Sequence, residues 1–104
     1  MKLHFYCLNY INGIQYTECE VRETAKLYYP ISHFPNNYFM TYVRKSDIGK
    51  LKYEEWLILF ERNDSIAREV FSKCITEVIN AREEMLNKFK KTLEKVNSFG
   101  IENK

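Results

Sequence analysis

Two histidines, three cysteines and one lysine-bearing glycine loop are the groups in this 104-residue chain that could carry chemistry. His4 and His33 fall on a strand and in a loop, with no H-x-x-x-H or H-E-x-x-H spacing to present two imidazoles to one ion, so no metal site is expected. On the first strand His4 is expected to face Glu20, which would favour its protonated form. A cross-strand ion pair accounts for that arrangement without catalysis. Cys7, Cys19 and Cys74 form no C-x-x-C pair and are odd in number, which reads as reduced thiols in a cytosolic protein. Cys7 and Cys19, on one face of adjacent strands, serve as small apolar core residues. The stretch KSDIGKLK contains a Gly-Lys pair like that of a phosphate loop, but the glycine upstream is missing and Leu51 stands where Ser or Thr should hold magnesium. No catalytic residue, metal or cofactor is therefore assigned, and the chain reads as a binding protein.

What that loop retains is charge. Arg44, Lys45, Lys50 and Lys52 against Asp47 make a local excess of roughly +3, able to touch a phosphate or an acidic partner. Ser46 or Asp47 is placed to cap a short helical turn that Gly49 ends. The whole-molecule charge is only +2, too weak a field to hold a polyanion unaided. Farther on, Lys88, Lys90, Lys91 and Lys95 are offset by Glu83, Glu84 and Glu94, as on an ordinary solvated helix face. Basic residues beside strand aromatics also suit single-stranded nucleic acid, where bases stack on rings, which makes nucleic-acid binding the alternative reading. No RNP-type motif supports it.

The elements that must position these residues are legible from periodicity. Residues 8 to 16, LNYINGIQY, place Asn-Gly between strand-forming runs and predict an N-terminal β-hairpin. A three-residue loop of Ile11, Asn12 and Gly13 sorts the side chains best: it pairs Tyr10 with Ile14 and Phe5 with Cys19, and gathers Leu3, Phe5, Cys7, Thr17, Cys19 and Val21 on one face. The other face collects His4, Tyr6, Leu8, Tyr10, Ile14, Tyr16, Glu18 and Glu20. Either another element covers it, or Tyr6, Tyr10 and Tyr16 form an aromatic contact surface for a protein partner. KLYYPI starts a further strand that Pro30 confines to an edge or an end. SHFPNN is a loop, YFMTYVR at 38 to 44 returns to strand-type residues, and EEWLILFE reads as a buried strand although so short a run also suits a helical turn.

From Asn63 the period becomes helical. NDS offers capping oxygens, and Ile66, Val70, Cys74, Val78, Ala81, Met85, Phe89, Leu93 and Val96 recur at three- and four-residue intervals. Before Gly100 no Gly or Pro interrupts, so about 33 residues can form a helix of roughly 50 Å, against about 27 Å for an eight-residue strand. Such a helix outreaches the sheet expected to cover it. Its second half must bend back as a helix pair, protrude, or meet another copy, and Met85, Leu86, Phe89, Leu93 and Val96 supply a seam for a homodimer.

The fold class expected is thus α+β: a small antiparallel sheet opened by the hairpin over residues 1–62, packed against a long helix or helix pair over 63–99, as one domain. Eight Tyr and seven Phe require ring faces that are buried together or offered to a partner. No apolar stretch is long enough to span a bilayer and no signal peptide precedes the first strand, so a soluble, cytoplasmic protein is expected.

The order of the tyrosine-rich hairpin, the R-E-T-A-K-L-Y bend, V-R-K-S-D-I-G-K-L, and then a strand and a long helix resembles small accessory proteins encoded by phages and mobile elements of Gram-positive bacteria. The likeness covers the first half of the chain, most specifically Val43 to Leu51. It implies a protein made during infection that binds a host protein, such as a component of a defence system, in the host cytoplasm. It implies no active site.

Overall fold

Alternation of apolar and polar residues makes the N-terminal half a sheet, and the change to a three-to-four-residue period makes the C-terminal part a helix. In the structure, a computed structural model, residues 1–35, 38 and 40–101 are described. The strands are β1 (Lys2–Asn9), β2 (Gly13–Glu23), β3 (Leu27–Pro30), β4 (Val43–Arg44) and β5 (Trp56–Leu59), followed by the helix α1 (Asp64–Asn97). They form one antiparallel sheet in the order β4-β3-β2-β1-β5, so the fold is α+β. The chain divides into two compact units, Met1–Phe71 and Ser72–Lys104.

The hairpin forms, but its register differs by two residues from the expected one. Asn9 pairs with Gly13 and Phe5 with Thr17, so the loop is Tyr10-Ile11-Asn12. The cause is Asn9, whose side-chain oxygen accepts from the backbone N–H groups of Ile11 (2.8 Å) and Asn12 (2.9 Å) and closes the turn one residue earlier. Gly13 then enters β2 with φ +85°, a conformation that suits glycine. A slip of two leaves each side chain on its expected face. His4 consequently lies opposite Glu18 and not Glu20.

The inner face buries Leu3, Phe5, Cys7, Cys19, Val21, Val43, Trp56 and Ile58 together with Tyr28, Phe34 and Tyr38. Phe5 sits among the rings of Phe34, Tyr38 and Trp56 at centroid distances of 5.4, 5.4 and 6.1 Å. This cluster explains why the expected strand over 38 to 44 shrinks to Val43–Arg44. Tyr38 turns inward, its N–H bonded to the Pro35 carbonyl, and its chain covers the sheet face instead of extending the sheet's edge. The expected loop residues Asn36 and Asn37, and Phe39 of the expected strand, lie outside the described residues.

On the other face Tyr6, Leu8 and Leu57 are buried, and the first two turns of α1 belong to the same unit. The Asn63 side chain caps the helix, accepting from the Ile66 N–H at 3.1 Å. Tyr6 fixes the start from the sheet side: its hydroxyl donates to Asp64 and accepts from the Asn63 N–H, each at 2.8 Å. That anchor turns Ala67 and Phe71 inward, one position on from the expected Ile66 and Val70, and Ile66 is exposed. In the second unit the helix runs without interruption to Asn97, giving 34 residues in all.

Candidate partner-binding surfaces

The residues expected to meet a partner fall at the turn end of the hairpin, near the helix start, in the basic loop and along the distal helix. At the turn end of the first unit, Tyr10 is 67% exposed and Ile11 is 92% exposed. Facing the same depression, of about 420 Å³, is a second tight turn, Lys52 to Trp56, that leads into β5 and carries Tyr53, Glu54 and Glu55. The Leu8 N–H bonds to the Glu55 carbonyl at 2.8 Å and ties the two turns together. Tyr53 and Glu54 hold φ of +57° and +58°, the left-handed region that bulky side chains rarely adopt. They do so because the ladder closes across them, with Lys52 and Trp56 exchanging backbone hydrogen bonds at 2.8 and 2.9 Å. Tyr53 is thereby held outward, 62% exposed, beside Tyr10 and Ile11 at the depression. Tyrosine rings and an isoleucine rimmed by carboxylates suit a protein surface bearing apolar and basic groups.

The other two hairpin tyrosines are occupied inside the unit. Tyr6 is 2% exposed and engaged with the helix start, so it belongs to the core and not to a contact surface. Tyr16 is half-buried: the Arg62 guanidinium lies 4.0 Å from its ring centroid, His4 stacks on it at 5.9 Å, and its hydroxyl lies between His4 and Glu18. Burial, then the hydrogen bond to Glu18, raises the Tyr16 pKa, while the bonds from Lys2 and then Tyr16 lower that of Glu18. Sequence reasoning missed Ile11 and Tyr53. An apolar residue at a turn apex is a readable sign for Ile11; KYEEW contains no turn residue that would mark Tyr53.

The basic loop is less charged in space than in sequence. Its short helical turn, Lys45–Asp47, forms, with Ile48 at its end and Gly49 left-handed just beyond; no side chain caps its start, because the capping position is Arg44, which has no acceptor, and Ser46 and Asp47 lie inside the turn, where Asp47 pairs with Lys52 at 2.6 Å. Lys45 pairs with Glu23 and lies over the Tyr28 ring. A hydrogen bond to Tyr42 raises the pKa of Arg44, and Lys50 is exposed. Two of the four cations are thus neutralised.

In the second unit Met85, Leu86, Phe89, Leu93 and Val96 are all exposed, as are Ile79, Phe99 and Ile101. Those on the helix form an apolar stripe along it.

Part of the β2 edge has no strand beside it among the described residues. The bond between Leu8 and Glu55 shows that even-numbered residues of β1 turn toward β5; the odd-numbered ones face β2, and with them the odd-numbered residues of β2. Ile14, Tyr16 and Glu18 then point their N–H and C=O groups away from β1, where β3 pairs only with Val21–Glu23.

No group of three or more His, Cys, Asp or Glu able to hold a metal occurs among the described residues, and among them no helix is long and apolar enough to cross a membrane. All three cysteines are buried. Burial, then Glu55, pushes the Cys7 thiol up to about 11. No family model, no curated protein and no solved structure matches the chain.

Proposed function

We propose that this chain is a non-catalytic interaction protein that binds a protein partner through the turn-end surface of its first unit and self-associates through its second. The observation that carries the reading is the exposure of Tyr10, Ile11 and Tyr53 around one depression, with Tyr53 held there by a strained turn. Strained residues concentrate where function holds them, and exposed aromatic groups concentrate at interfaces. Together with the resemblance to phage and mobile-element accessory proteins, this makes the partner a host protein of the bacterial cytoplasm, such as a defence-system component, which the chain would block by occupation. The pairing of Lys45 and Lys52 disfavours the alternative of nucleic-acid binding.

The test is affinity capture from a bacterial lysate with the full chain and with the triple variant Y10A/I11A/Y53A. A partner retained by the native chain and lost at least tenfold by the variant supports the reading. Equal retention by both removes the turn-end surface. Capture of nucleic acid that falls steeply with salt, as phosphate contacts require, would replace the reading with the alternative.

A further inference from the structure

The second unit is a helix whose charges are segregated along its length. Residues 77–84 hold Glu77, Glu83 and Glu84 against Arg82 alone; residues 88–95 hold Lys88, Lys90, Lys91 and Lys95 against Glu94 alone. The exposed apolar residues also have a phase. Ile79, Leu86 and Leu93 follow one another at seven-residue spacing, and Arg82, Phe89 and Val96 do so three residues on, which are the a and d positions of a heptad pattern. Flanking this stripe, one side carries Glu83 and Lys90 at e, and the other carries Val78, Met85 and Thr92 at g, with Phe99 in the turn just past the helix end.

We propose that two copies of this chain pair through this helix in antiparallel orientation, centred between Leu86 and Phe89. The proposal rests on the self-association stated above and fixes its geometry. Antiparallel pairing sets each a residue against a d residue of the partner copy, so Leu86 meets Phe89 and Ile79 meets Val96, over about 26 Å of helix. The e flank then brings Glu83 of each copy against Lys90 of the other, twice, by two-fold symmetry. The g flank brings Met85 and Val78 toward Thr92 and Phe99, widening the apolar contact. A parallel pair would instead place Glu83 and Lys90 beside Val78 and Met85, and would lay acidic half on acidic half and basic half on basic half. Like charges at such distances destabilise, and opposite helix dipoles favour the antiparallel arrangement further. Arg82, the only polar residue in the central layers, packs its stem against Leu93 and keeps its head in water at the interface margin.

The experiment uses the full chain, with sedimentation equilibrium for stoichiometry and pulsed electron-spin distances for orientation. Spin labels go on Ser98→Cys and, separately, Asn87→Cys. The antiparallel pair separates the two Ser98 positions by about 30 Å along the axis and holds the Asn87 positions level, whereas a parallel pair holds both level. A chain that stays monomeric at high concentration removes both self-association and this geometry. A dimer with level Ser98 labels removes the geometry alone. Charge variants give an independent measure: E83K/E84K weakens the dimer at least tenfold at low salt, and adding K90E/K91E to the same chain restores it. Failure of the fourfold variant to recover overturns the assigned ionic flank, and with it the antiparallel orientation.

Discussion

A single hydroxyl, that of Tyr6, joins the sheet to the helix start, since it both donates to Asp64 and accepts from the Asn63 N–H. Tyr6→Phe keeps the ring packing and leaves that N–H unpaired, so it should lower stability by about 1–2 kcal/mol, read as a lower urea midpoint for the first unit. The same cluster makes stability depend on pH. Hydrogen bonds from Arg62 and then Tyr6 hold the Asp64 pKa below the ordinary carboxylate value, and Glu18 is lowered by its bonds to Lys2 and Tyr16. A carboxyl whose pKa is depressed on folding stabilises above its unfolded value and loses that contribution as pH falls through the folded one. Thermal midpoints should therefore drop below about pH 4, and Asp64→Asn should flatten that slope. The turn at Tyr53 and Glu54 supplies a prediction of opposite sign. Asn-Gly in their place accepts left-handed φ more readily, so the double variant should gain about 1 kcal/mol in stability while losing partner binding with the Tyr53 ring.

Among the elements, the hairpin and helix were written plainly in the sequence and the middle of the chain was not. Faces of β1 and β2 follow from alternation alone, which a two-residue slip does not disturb, whereas the slip itself depends on the Asn9 side chain choosing the turn. The start of α1 follows from Asn63 as a cap, but which residues of its first turns are buried depends on a tyrosine 57 positions away in the chain. Tyr38 has strand propensity, and aromatic packing against Phe5 and Trp56 overrides it. The candidate surface was half visible: the exposed hairpin tyrosine Tyr10 was, and Tyr53 was not, because nothing in its neighbours announces a left-handed turn. The long strand β2 also makes a measurable claim. Amides of Ile14, Tyr16 and Glu18, turned away from β1 beyond the reach of β3, should exchange with deuterium far faster than those of Gln15, Thr17 and Cys19, which bond to β1. Equal protection in the two sets would mean that something covers this edge, and an uncovered edge is where a strand of another protein can add.

At the scale of the whole molecule, the two units are held by different means. The first has a core of interlocked aromatic and aliphatic side chains on a five-stranded sheet. The second, from Ile79 on, has its large apolar residues exposed along one helix and the turn that ends it. Helices without tertiary cover are marginal in water, so helicity of the second unit should rise with protein concentration as copies associate. Circular dichroism at several dilutions checks this; helix content independent of dilution would count against association.

The chain has one tryptophan, Trp56, and it lies 3% exposed in the inner core, where its indole N–H, like the Tyr38 hydroxyl, has no hydrogen-bond partner among the described residues. Its emission should accordingly be blue, and it should report the melting of the sheet alone. The far-ultraviolet signal at 222 nm, dominated by the helix, would follow another curve, so this small chain carries two separate optical clocks whose disagreement measures how independently its parts come undone.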